Sequence, residues 1–192
     1  MIHVPASFFE RLQIHDLFGR AAPLEVELGS GDGSFLCRWA ELHPERNFLG
    51  VERLLGRLRK LDRKGRRAGV ENLRLIRIEA SYFLEYMLPA AATASLHVYF
   101  PDPWPKRKHR GNRLINPKFV QSTFQALQPG GDVFLRTDHA DYYQQMTDCF
   151  GADQRFIPIA TPARLQEVKT DFERGFQARG VATLWAAYRK RD

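Results

Sequence analysis

Two runs of residues have the types and spacing to do chemistry. The first is Leu24-Glu25-Val26-Glu27-Leu28-Gly29-Ser30-Gly31-Asp32-Gly33-Ser34-Phe35, an apolar segment that empties into three alternate glycines and a helical pattern. Glycines let the backbone turn tightly and approach a ligand, and a helix that follows presents unpaired N–H groups. The spacing is G-x-G-x-G rather than the G-x-G-x-x-G of dinucleotide turns. Glu27, two residues before the first glycine, would repel a pyrophosphate but pair with a cation. S-adenosylmethionine, which carries a sulfonium and an ammonium, has the matching charge. Glu52, nineteen residues after Gly33, stands where an acid accepts hydrogen bonds from two ribose hydroxyls, and Glu79 where one reaches an adenine amino group. Singly these features have plainer readings, a bare loop for the glycines and a strand cap for Glu52. Jointly, Gly29, Gly31, Gly33, Glu27 and Glu52 favour this cofactor over NAD.

The second run is Ser95-Leu96-His97-Val98-Tyr99-Phe100 followed by Pro101-Asp102-Pro103-Trp104-Pro105-Lys106. Proline restricts its own φ and the residue before it, so Asp102, held between two prolines, has little freedom and suits an aimed carboxylate. Trp104 offers a face for a base or, more plainly, an apolar floor for the loop. Lys106, Arg107, Lys108, His109, Arg110 and Arg113 then form a basic run suited to phosphate. Arg57, Lys60, Lys64 and Arg67 recur at helical spacing opposite Leu54, Leu58 and Leu61, a cationic stripe whose plain reading is a solvated helix face. Arg189-Lys190-Arg191 reads as a soluble tail.

These residues need elements to hold them. Short apolar runs alternate with helical patterns, as in an α/β domain with a mainly parallel sheet. Strands are predicted over 24–28, 47–51, 73–78, 95–100 and 132–136, with helices over 34–43, 54–68, 81–88, 117–127 and 140–150. An early helix over 7–18 precedes them, and a strand over 155–159, a short helix over 170–178 and a last strand over 182–189 complete the sheet. Asn116-Pro117 reads as an N-cap with proline at the first helical position, and Pro129-Gly130-Gly131 as the break before the next strand. In a doubly wound sheet, ligands sit beyond the C-terminal strand ends, so both runs face one cleft.

The 192 residues fit a single domain with one core, the first 20 forming a helical extension. The 44% apolar and 27% charged residues describe a soluble globular chain, and the first 18 residues lack the layout of a secretory signal. A cytoplasmic protein is expected. Two distant cysteines give no support to a disulfide framework or a metal site. The formal charge of +7 favours a polyanionic partner, with solubility alone as the plain alternative.

The Pro101–Lys106 motif with its basic extension resembles that of the bacterial tRNA (guanine-N7-)-methyltransferase family, and the likeness runs in order from Glu27 to Glu173. It implies a Rossmann-like class I methyltransferase fold, a mainly parallel seven-stranded sheet with helices on both faces. S-adenosylmethionine is the implied cofactor and tRNA the implied partner of a monomer or homodimer. It also implies that Glu27, Glu52, Glu79 and Asp102 touch the cofactor and that Asp102 is the catalytic residue. Glu79 departs from the family's usual Asp or Asn. Substrate contacts are implied at Lys106, Asp138, Thr170, Asp171, Phe172 and Glu173, and the modified guanine is implied to be position 46 of the variable loop. RNA contacts made by the N-terminal arm of longer members are expected to be reduced.

Guanine N7 has a free lone pair, so transfer to it needs positioning rather than a strong base. The enzyme must leave N7 uncovered, avoiding the usual arginine contact. Carboxylates that accept from N1–H and the amino group do this, which suits Asp102, with Asp138 and Glu173 for the remaining edge. Asp138 reads equally as an N-cap for the helix at 140, and Thr170 with Glu173 as a capping box. A methyltransferase for another nucleic-acid atom, or an RNA-binding protein without catalysis, are the competing readings.

Overall fold

The computed structural model describes residues 1–192 and orders the apolar runs into a single sheet of eight strands. In chain order these are β1 (Ile2–His3), β2 (Leu24–Leu28), β3 (Asn47–Val51), β4 (Leu73–Ile76), β5 (Thr93–Tyr99), β6 (Leu127–Thr137), β7 (Phe156–Pro158) and β8 (Leu184–Lys190). The spatial order is β1-β4-β3-β2-β5-β6-β8-β7, parallel except where β8 runs against β6 and β7. All five residues of β2 and of β3 are buried, as expected of central strands covered on both faces. From β2 the chain builds outward to β3 and β4, then returns to the other side of β2 for β5. The point of reversal therefore lies between the C-terminal ends of β2 and β5, where the register sets Glu27 beside His97.

Helices α1 (Ile14–Phe18), α2 (Leu36–Leu42), α3 (Leu55–Arg67), α4 (Ala80–Tyr82), α5 (Pro117–Ala126), α6 (Ala140–Gly151), α7 (Ala163–Glu167) and α8 (Asp171–Gln177) flank the sheet. One face buries Leu58 and Leu61 of α3 with Leu36 and Trp39 of α2, and the other buries Phe119, Met146 and Phe150 of α5 and α6. The α5 start follows its sequence signals: Asn116 Oδ1 accepts from Phe119 N at 3.0 Å, with Pro117 at the first position. No helix is long and apolar enough to cross a membrane.

Several expectations are corrected. The early helix occupies only Ile14–Phe18, because Ile2–His3 pair with β4 and Leu12 N donates to Met87 O at 2.9 Å. That pairing adds the eighth strand. The strand expected over 132–136 begins at Leu127 and runs through Pro129-Gly130-Gly131, with a register shift between Thr93 and Ser95 of β5 and Gly130 at φ 68°. A bulge thus absorbs what reads as a helix breaker. Strand β4 stops at Ile76, and the helix expected over 81–88 continues from α4 as a π-helical turn, Phe83–Met87. The structure adds a 3-10 turn over Arg107–Asn112 and helix α7 to the elements read from the sequence.

Beneath the reversal point lies a buried polar chain. Glu25 Oε2 accepts from Trp39 Nε1 at 2.9 Å and is bonded to His97 Nε2 at 2.8 Å, while its Oε1 accepts from Arg46 at 2.8 Å. His97 Nδ1 is in turn 2.7 Å from the Tyr99 hydroxyl. Burial pushes the Glu25 carboxyl up, but the bonds to His97 and Trp39 and the Arg46 charge outweigh it and hold it at about 2. The chain fixes the ring of Tyr99, which forms part of the cleft wall.

Candidate active site

A cleft of about 350 Å3 opens at the reversal point and is lined by both sequence runs: Glu27, Gly29, Gly31 and Asp32 from one, Tyr99, Phe100, Pro101, Asp102 and Pro103 from the other. Asp138, Thr170 and Phe172 complete the wall together with Ser30, Ser34, Phe35, Arg57 and Phe176.

Glu27 projects from β2 and is 3% exposed, and its Oε2 has no hydrogen-bond partner. Burial raises its carboxyl well above the usual carboxylate range; the Arg136 cation opposes the rise, and Asp32 and Glu52 add to it. A buried acceptor with no donor is costly, so this carboxylate asks for a cationic donor. The sulfonium and ammonium of S-adenosylmethionine fit that demand, whereas a pyrophosphate would not.

The glycines divide their work. Gly29, Gly31 and Gly33 have φ of 78°, 56° and 75°, a region that side-chain-bearing residues rarely adopt. Gly29 and Gly31 line the cleft, but Gly33 does not. A Cβ at Gly33 would stand 2.0 Å from Leu61 Cδ1, so this glycine lets α3 pack against the turn. Gly33→Ala combines overpacking with left-handed strain and is expected to cost about 3 kcal/mol, read as a lowered midpoint in urea unfolding. Glu52 also works on the turn: its Oε2 accepts from Gly31 N at 3.0 Å and its Oε1 from Leu54 N at 2.7 Å. Glu79 stands outside the cleft lining, and its two oxygens accept from Ser81 N and Tyr82 N as the N-cap of α4.

The Asp102 loop is bracketed by two bulky residues in the left-handed region, Phe100 at φ 50° and Trp104 at φ 41°. Such conformations persist only where the surroundings impose them and gather at functional sites. Trp104 N donates to Asp102 Oδ1 at 3.2 Å, and the Trp104 ring meets His109 edge-on while staying partly exposed. Arg113 supplies the imposing contact. Its Nε donates to Pro103 O at 2.8 Å, its Nη1 to Gln145 at 2.9 Å and its Nη2 to Asp141 at 2.5 Å. At 2% exposure Arg113 is a loop anchor rather than a phosphate contact, and Arg110 is paired with Asp141 at 2.8 Å. Lys106, Arg107 and Lys108 remain exposed outside the cleft lining.

Asp138 lines the cleft and does not cap α6; His139 does, its Nδ1 accepting from Tyr142 N at 3.3 Å. Thr170 Oγ1 caps α8 by accepting from Glu173 N at 3.0 Å. Glu173 is fully buried, with its Oε2 paired to Arg136 Nη1 at 3.1 Å and its Oε1 without a partner. The Arg136 guanidinium lies 3.8 Å from the centre of the Tyr99 ring and 4.3 Å from that of Trp185. Asp171 sits at the rim, paired with Arg174 and, at 3.7 Å, with Lys64. The stripe on α3 is divided, since Lys64 pairs with Asp32 at 2.8 Å while Arg57 enters the cleft wall. Tyr99, read from sequence only as part of a strand, and Arg57, read as part of a solvated helix face, line the cleft, while Phe176 and Arg136 are neighbours the sequence reading does not name; a lone arginine ending the apolar Val133-Phe134-Leu135 run is the available signal for Arg136.

A family model described as "Putative methyltransferase" matches residues 21–184. A tRNA (guanine-N(7)-)-methyltransferase of Methylococcus capsulatus is 33% identical over 191 residues, covering 97% of this chain and 81% of that protein. The chain belongs to the tRNA (guanine-N7-)-methyltransferase family. The relative from Halorhodospira halophila is 38% identical over 151 residues, 79% of this chain, which spans 65% of that longer protein. Among solved structures, the 16S rRNA methyltransferase KamB shares the fold, with a TM-score of 0.69 at 13% identity over 95% of both chains. In this tRNA (guanine-N7-)-methyltransferase family member, the Pro101–Pro105 segment and the glycine turn thus meet on one cleft from opposite sides of the reversal point.

Proposed function

We propose that the chain transfers a methyl group from S-adenosylmethionine to N7 of a guanine in tRNA, at position 46 of the variable loop. The observation that carries this reading is the buried, unpartnered Glu27 carboxylate in the same cleft as Asp102. When bound, S-adenosylmethionine supplies an electrophilic methyl on a cationic sulfur. Glu27 would hold its positive charge and the backbone at Gly29 and Gly31 would approach it closely, while Glu52 keeps the turn in shape. Asp102 and Asp138 would accept from guanine N1–H and the exocyclic amine. N7 would then stay open, and no proton has to leave it. The exposed Lys106, Arg107 and Lys108 would take the RNA backbone.

Incubation with labelled S-adenosylmethionine and tRNA lacking N7 methylation tests this reading. Label that maps to position 46 by cleavage selective for 7-methylguanine is the expected result. Label without such cleavage would move the acceptor to another atom. RNA binding without any transfer would replace the enzyme with a binding module.

A further inference from the structure

Beside the cleft mouth a second groove of about 540 Å3 runs between α3 and α8, lined by Arg57, Lys60, Phe172, Phe176 and Arg179. Arg57, Phe172 and Phe176 also line the cleft, so groove and cleft are continuous. Phe172 is 51% exposed and adjoins the half-buried Phe176, so the two rings form one apolar patch at the cleft mouth. The Phe172 ring stacks with Phe176 at 6.5 Å and an interplanar angle of 25°, and Arg57 stands 5.6 Å from its centre. Arg179 covers Phe176 at 5.1 Å, and Phe100, which leads into the Asp102 loop, meets Phe176 at 5.5 Å. The result is a strip of cation, ring, ring and cation leading into the cleft. The groove's two acids are neutralised, Asp32 by Lys64 and Asp171 by Lys64 and Arg174, whereas Arg57, Lys60 and Arg179 form no ion pair.

We infer that this strip is a stacking shelf for the unpaired nucleotide next to the guanine that enters the cleft, with Arg57, Lys60 and Arg179 facing its phosphates. The inference rests on the proposal that RNA is the substrate. A base that reaches an enclosed cleft must leave its stack, which strips its neighbour of a stacking partner. An aromatic face flanked by cations replaces that partner, and it does so for any base because every base has a π-face. The net positive charge of the groove suits the backbone that carries the base.

A short single-stranded RNA with 2-aminopurine beside an abasic site in place of the guanine reads stacking directly, because the probe then has no base on that side until a ring of the protein supplies one, and its fluorescence is quenched when it stacks. The full chain should quench it. Phe172→Leu, which keeps an apolar side chain but no ring, should lose the quench and weaken RNA binding roughly tenfold, while Phe172→Tyr should restore both. Arg179→Gln should weaken binding of all sequences alike and lower the salt slope by about one. A quench that is absent in the wild type, or that survives in Phe172→Leu, would overturn the shelf. So would a concentration-dependent dimer that Phe172→Leu abolishes, since the strip would then belong to a second copy. Methyl transfer to tRNA, measured separately on the wild type, keeps the two readings apart: transfer without quench removes the shelf alone, and quench without transfer removes the activity alone.

Discussion

Asp102→Ala is expected to lower methyl transfer to tRNA at least about a thousandfold, with the melting temperature held within ~2 °C of the wild type. The two expectations follow from different features. Asp102 is exposed at the cleft, and its one hydrogen bond within the protein is the acceptance from Trp104 N. Little stability rests on it, because the loop is held by its prolines and by Arg113 on the Pro103 carbonyl. What the substitution removes is the carboxylate that orients guanine and offsets the positive charge arriving on the purine. Asp102→Asn keeps an acceptor but not the charge and should fall between the two. An alanine variant that retained more than a tenth of the wild-type kcat would remove Asp102 from the centre of the mechanism.

The second large effect concerns the cofactor and the proton on Glu27. Burial keeps that carboxyl protonated to unusually high pH in the free protein, and a bound cation favours the ionised form. Binding of S-adenosylmethionine should therefore release a proton, and affinity should rise as pH climbs toward the raised pKa, by at most about tenfold per pH unit, then level off. Glu27→Gln should weaken cofactor binding about a hundredfold, the worth of a charge-assisted hydrogen bond, and flatten this dependence. Stability carries the opposite sign. A carboxyl whose pKa is raised by folding contributes most below its unfolded value and loses that contribution as pH rises toward the folded value, so the glutamine variant should unfold later at neutral pH and above. Titration calorimetry in two buffers of different ionisation heat counts the proton. Equal affinity in the variant, with no proton released by the wild type, would refute the role given to Glu27.

Local signals were legible in the sequence, and pairings between distant segments were not. Strand β2, its glycine turn and the proline-rich loop could be read because each is written in consecutive residues. Two-residue β1 is too short to show a period, and β6 crosses Pro129 because a bulge tolerates it. The same limit applies to the site. Arg113 reads as one more cation in a basic run until Asp141 and Gln145, both on α6, are seen to enclose it. Nothing in the local sequence of Glu173 announces Arg136, 37 positions away, which only the fold brings to its Oε2. A motif names residue types, but burial and partner decide which of them meet solvent.

The sheet order also makes some pairings depend on others. Strand β7 has β8 as its sole neighbour, and β8 must slot between β7 and β6, so an earlier segment waits for a later one before it has a place. Such long-range closure is slow, because the chain must be looped before any pairing rewards it. Helices α7 and α8 lie within that loop, and α8 brings Phe172 and Phe176 to the cleft and Glu173 to Arg136. The wall of the cleft that holds Phe172 and Phe176 therefore belongs to the segment closed by the pairing of β8 with β6, whereas the glycine turn and the Asp102 loop lie on strands that pair without it.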